Sequence, residues 1–187
     1  MRVHGRWNAK KEAKTLANVG TIVAANCWKA SGELLLNLEN EGFQIDTGKQ
    51  RLDIIGESMC FLLHIVDRWT IDALKTEERQ ELLTSAAKRM AGMIRENGEG
   101  VGEPEGAEQR FIELVNIRMS TYAEFNMDED EPGFAMKRSL GKHVQAVVGE
   151  KDRKWIDQQI MDVEVPEALR PMRRMLRMIM PNIFNDD

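Results

Sequence analysis

Apolar side chains return every three to four residues over most of this chain, the spacing of an α-helix with one buried face. From residue 8 to 41 the returning positions are Ala13, Leu16, Ala17, Gly20, Val23, Ala24, Cys27, Leu34, Leu35 and Leu38. Gly20 and Gly32 weaken this helix, since an interior glycine costs about 1 kcal/mol relative to alanine, and the pattern predicts a kink or break near residue 32. Gly42 is a natural stop, and Asp46-Thr47-Gly48 offers the N-cap of a second helix over about 49–75. Thr76 then caps a third, with Glu77 and Glu78 in its first turn, where carboxylates complement the helix dipole; it ends at Asn97-Gly98.

The stretch NGEGVGEPEG (97–106) reads as a flexible acidic loop. A fourth helix follows over 107–125, and DEDEPG (128–133) breaks it with four successive acids that repel unless solvated or paired. A fifth segment, FAMKRSLGKHVQAVV, ends at Gly149. DRKWIDQQIMDV (152–163) predicts a sixth helix halted before Pro166, and a last short one lies between Pro171 and Pro181. There is no internal repeat and no sustained heptad seam. Six or seven helices with short connections predict an all-α fold: a single irregular bundle spanning 1–187, with core helices over about 8–163 and a short basic amphipathic helix over about 171–180.

Composition agrees with that class. Of 187 residues, 42% are hydrophobic, 30% charged and only 6% aromatic, a globular balance that favours helix over sheet. The net charge of −5 excludes a protein whose main task is coating nucleic acid, so no nucleic-acid partner is expected. Two cysteines, Cys27 and Cys60, are too few for a disulfide scaffold. The basic start MRVHGRWNAKKEAK is followed by TLANVGTIVAANCWKASGE, too weakly apolar for a signal peptide's core, and no run approaches the roughly 18 apolar residues of a membrane span. A cytoplasmic location is the expectation.

The stretch GESMCFLLHIVDRWT (56–70) raises the question of chemistry. At about 100° per residue, Ile54, Ile55, Met59, Phe61, Leu62, Leu63, Ile65, Val66 and Trp69 cover more than half of the helix circumference, while Asp53, Glu57, Cys60, His64 and Asp67 form one narrow stripe. So wide an apolar arc predicts a helix surrounded by neighbours. The fourth helix supplies a partner, because Arg118 and Tyr122 sit in the middle of its apolar face among Phe111, Leu114, Val115, Met119 and Phe125. An arginine so placed must find a counter-charge. Arg118 and Tyr122 are therefore expected to meet the Glu57–His64–Asp67 stripe.

Three readings of that meeting compete. The stripe is solvated and Arg118 snorkels outward along its stem; or the groups form a satisfied network that fixes helix register; or they line a pocket for a metal or a small polar ligand. Spacing argues against metal: there is no Glu-x-x-His, no His-Glu-x-x-His and no Cys-x-x-Cys, and Glu57 and His64 stand two turns apart, about 10 Å. Cys60 in mid-helix reads as a small core residue, not a nucleophile. The glycine loop lacks phosphate-binding spacing and carries three glutamates. No cofactor is expected.

In RPMRRMLRMIMP, Met172, Met175, Leu176 and Ile179 share one face, and Arg170, Arg173, Arg174 and Arg177 share the other. This is a docked terminal helix with a solvated arginine rim, or a partner-binding helix; at about ten residues it is short for independent membrane-surface binding. The arginines could also answer the chain's own acidic segments, in the same copy or in a second one, as in a homodimer. The sequence thus predicts a non-catalytic protein acting through protein–protein contacts and self-association. Its rival is a ligand- or metal-binding bundle, or an enzyme, with a polar pocket built from Glu57, His64, Asp67, Arg118 and Tyr122.

Overall fold

The computed structural model describes residues 15–99, 106–148, 155–181 and 183–184. The chain is an all-α bundle: α1 Leu16–Asn40, α2 Gly48–Thr70, α3 Thr76–Gly98, α4 Ala107–Ala123, α5 Phe134–Val147, α6 Ile156–Gln159 and α7 Val165–Ile179. Between α4 and α5 lies a two-stranded antiparallel hairpin, β1 Met127–Asp128 against β2 Glu131–Pro132.

Local chemistry sets the helix ends. Thr15 caps α1 by accepting from Asn18 N–H at 3.2 Å. The expected start near residue 8 lies outside the described residues. At the other end Gly42 takes φ +84°, and the amides of Gly42 and Phe43 donate back to the carbonyls of Glu39 and Leu38. That pairing is the glycine-dependent Schellman closure. Thr47 and Gln50 form a reciprocal capping box on α2. For α3 the cap position is Lys75, not Thr76, and its amide donates to Glu78 at 2.9 Å.

Helix α2 is the axle of the bundle, with α1, α3, α4 and α5 packed around it. Residues Gly56 to Val66 are all buried, Glu57, Cys60 and His64 included, while Asp53 and Asp67 at the two ends of the stripe are half-buried. This is the enclosure that the wide apolar arc predicted. It also removes the reading in which Glu57 and His64 face water. Helix α7 packs along α1, and the turn preceding α7 packs on α5.

The structure departs from expectation at four places. Helix α1 runs unbroken through Gly32, because its buried face (Ala30, Ser31, Leu34, Leu35, Leu38) continues on both sides of the glycine and holds the helix there. Helix α2 stops at Thr70 and α4 at Ala123, each short of the expected end. The largest difference is at the C-terminus. The sixth helix does not halt before Pro166, and the last helix is not a separate short piece over 171–180. Instead α6 passes through one π-helical turn, Ile160–Glu164, directly into α7, which contains both Pro166 and Pro171. In the π turn the Val165 amide reaches back to the Ile160 carbonyl. That wider spacing displaces the carbonyls a proline ring at 166 would otherwise strike. Burial of Val165, Ala168, Leu169, Met172, Met175 and Leu176 then outweighs the hydrogen bond lost at Pro171.

Candidate functional site

The polar stripe of α2 splits among three neighbours. At its first level Glu57 faces α4, where Arg118 grips it in a fork: Nε donates to one carboxylate oxygen at 2.6 Å and Nη2 to the other at 2.6 Å. The side chains of Arg118 and Glu57 are only 19% and 9% exposed, so the pair is nearly dry. Arg118 does not snorkel. Bidentate geometry of this kind is the strongest form of side-chain ion pair.

One turn further along α4, Tyr122 is wholly buried, with its ring edge-on to Phe61 at 5.6 Å between centroids. Its hydroxyl lies 3.2 Å from Nδ1 of His143 on α5, and that nitrogen is 3.8 Å from a Glu57 oxygen. Glu57, Arg118, Tyr122 and His143 therefore join α2, α4 and α5 in one polar cluster. His143 did not figure among the candidates from sequence. The signal was present: it stands three residues after Leu140 and seven after Met136, on the face of α5 that is buried.

His64 meets Tyr122 by its ring, with centroids 5.7 Å apart, but hydrogen-bonds to nothing among the described residues through either ring nitrogen. Burial, with help from the nearby Arg68 charge, pulls its pKa down to about 4. Asp67 is not part of this cluster at all. Its carboxylate pairs with Arg79 Nε at 2.9 Å, in the first turn of α3. Ten residues of helix separate Glu57 from Asp67, about 15 Å along the axis, so the two acids address different neighbours.

The chemistry open to the cluster is narrow. Both Glu57 oxygens are occupied by Arg118. Burial, reinforced by the Glu57 charge, holds the Tyr122 phenol and the Cys60 thiol protonated. Burial likewise keeps His143 neutral, below the usual imidazole range. The thiol and the phenol are thus not activated as nucleophiles. Cys27 and Cys60 are both buried free thiols. Among the described residues no group of three His, Cys, Asp or Glu side chains is placed to hold a metal ion. No helix among them is long and apolar enough to cross a membrane.

A neutral buried imidazole has a measurable consequence. Because the folded-state pKa of His64 lies near 4, below its ordinary 6.5, the unfolded chain takes up a proton first as pH falls. The contribution of neutral His64 is intact above about pH 6.5 and is lost as pH drops toward 4, amounting to about 3 kcal/mol. Asp67 and Glu164, whose pKa values burial raises, act in the opposite direction. Comparison with His64→Leu cancels them. Urea unfolding at pH 7.5 and pH 4 should show the stability gap moving by about 3 kcal/mol in favour of the variant. A gap that stays constant would show that His64 does not pay for burial in its charged form.

A second polar cluster lines a cleft of about 410 Å³ between α1 and α7. The π turn delivers Glu164 there, buried, accepting from Asn37 at 3.1 Å and Gln159 at 3.0 Å, while Asn37 also reaches Glu167. Sequence reading passed over Asn37 and Glu164; a lone amide among Leu34, Leu35 and Leu38 was the available sign.

The four arginines of α7 are used unequally. Arg173 is stitched into the fold: it donates to the Asp130 carbonyl at 3.0 Å and to Glu131 at 2.7 Å, and its guanidinium lies 5.3 Å from the Trp69 ring centre and 5.4 Å from that of Phe184. Part of the DEDE segment is thus answered from within the chain. Arg177 lies over Phe184 at 5.3 Å. Arg170 and Arg174 are exposed, border the α1–α7 cleft, and form no ion pair among the described residues. Compared with protein-family models, with curated proteins and with solved structures, the chain matches none of them.

Proposed function

We propose that this chain is a non-catalytic helical interaction module that works by assembling with itself. One observation carries the reading. A chain of net charge −5 gathers four arginines along one helix, and two of them, Arg170 and Arg174, are exposed and form no ion pair among the described residues, although Glu33, Glu164 and Glu167 line the same cleft. Exposed positive charge concentrated on an otherwise acidic protein is the feature that a complementary surface recognises. The rival pocket reading loses its main support, because the charges that would bind a ligand at Glu57 and Arg118 already bind each other.

Native mass spectrometry beside the denatured mass tests this directly. The expected result is a bare oligomer at micromolar protein. A bare monomer overturns self-assembly. A monomer with a reproducible added mass, lost in Glu57→Ala or His64→Ala, restores the pocket.

A further inference from the structure

We infer that two copies associate about a twofold axis through a surface with an acidic and a basic pole, the axis lying near the Arg173–Trp69–Phe184 junction. This rests on the self-assembly reading and names the surface that performs it.

The basic pole is the outer face of α7, where Arg170, Arg174 and Arg177 border one shallow groove together with Arg173 and Met178. The acidic pole is the hairpin tip: Asp128, Glu129 and Asp130 are all exposed, and Asp72 and Ile71 border the same depression as Glu129 and Asp130, where Arg68 supplies one opposing positive charge. The poles adjoin on one side of the molecule because Arg173 ties them together, holding Asp130 and Glu131 while it covers Trp69 and Phe184. A twofold contact uses the same patch on both subunits, so that patch must complement itself. Adjacent poles of opposite sign do so: rotation by half a turn sets each acidic pole against the other copy's basic pole.

Two further features fit a contact surface. Each pole carries an exposed apolar side chain, Met178 at 73% and Ile71 at 46%, able to anchor a partly dry contact inside a charged rim. The tip residue Glu129 takes φ +57°, a conformation that glycine or asparagine adopts with less strain.

Charge exchange tests the proposal. Arg170→Glu/Arg174→Glu cancels the positive charge of the basic pole, and Asp128→Lys/Glu129→Lys cancels the negative charge of the acidic pole. All four sites are exposed, and the Arg173–Glu131 tie is untouched. By native mass spectrometry and light scattering, wild type should dimerise, and each variant alone should weaken the dimer by at least roughly tenfold. An equimolar mixture of the two should form a heterodimer, because the intact acidic pole of one variant then faces the intact basic pole of the other. If a double variant loses its helical circular dichroism, the single exchanges Arg174→Glu and Glu129→Lys repeat the comparison. A dimer that persists unchanged in both variants overturns this surface while leaving self-assembly standing. A mixture that stays monomeric also overturns it. Wild type that is monomeric throughout overturns both.

Discussion

Arg118→Met destabilises the fold by about 3 kcal/mol in urea unfolding, and the double variant Arg118→Met/Glu57→Met recovers most of that loss. The asymmetry follows from desolvation. Glu57 is 9% exposed and both of its oxygens are held by Arg118, so removing the guanidinium leaves a carboxylate with neither its counter-ion nor its water. The neighbours offer little replacement, since the nearest imidazole nitrogen, on His143, is 3.8 Å away, beyond hydrogen-bond distance. Removing both charges instead leaves apolar side chains among Phe61, Val115 and their neighbours, and such replacements of buried pairs are often close to neutral. Arg118→Lys falls between, because an ammonium cannot make two parallel bonds to one carboxylate. An Arg118→Met variant as stable as wild type would show that water reaches Glu57, and the cluster would then be a wet cavity after all.

That ion pair was legible in the sequence, and the reason is general. An arginine centred on an apolar helix face has few ways to be satisfied, so its existence nearly dictates a buried acid opposite. Asp67 was misassigned to the same cluster because helical periodicity tells which side of α2 it occupies but not which helix crosses at that height. The crossing helix is α3, whose Arg79 takes it. His64 reached the predicted face and the predicted Tyr122, yet its bonding could not be read from spacing. The prolines misled for a different reason. Breaking by Pro166 and Pro171 is a local rule, whereas the apolar face from Val165 to Leu176 is a tertiary fact, and one π turn reconciles them. In the sequence the DEDE segment is a helix break whose acids must be solvated or paired, and Glu131 is paired with Arg173. Its backbone folds into a hairpin, where the Trp69 indole donates to the Asp130 carbonyl at 2.7 Å. The arginines of α7 were legible as a face but not as individuals, since only the packed structure separates Arg173 from Arg170 and Arg174.

Glycines 20 and 32 look alike in the sequence, each an interruption of the same helix, yet alanine at the two positions should move stability in opposite directions. At Gly20 an added Cβ would lie 2.5 Å from the Leu82 carbonyl oxygen, 2.8 Å from Ser85 Cβ and 2.9 Å from the Ala86 amide nitrogen. Two of those atoms are backbone of α3 and cannot rotate aside. The contact is fixed further by the Ser85 hydroxyl, which donates to the Ala17 carbonyl at 2.8 Å, so α1 and α3 touch here main chain to main chain. Alanine must push the two helices apart, opening the surrounding core of Val19, Val23, Leu82 and Ala86. Overpacking of this kind costs about 1–3 kcal/mol, and valine should cost more than alanine. The helical preference of alanine over glycine, about 1 kcal/mol, offsets only part of it. At Gly32 an added Cβ meets nothing within 4 Å. There the propensity acts unopposed, and Gly32→Ala should stabilise the fold by about 0.5–1 kcal/mol. Thermal and urea unfolding of the two variants give the comparison. If both stabilise, α1 and α3 do not meet at Gly20, and the packing of the first helix on the bundle is wrong. If the signs differ as expected, Gly20 is the point at which the longest helix locks onto its neighbour.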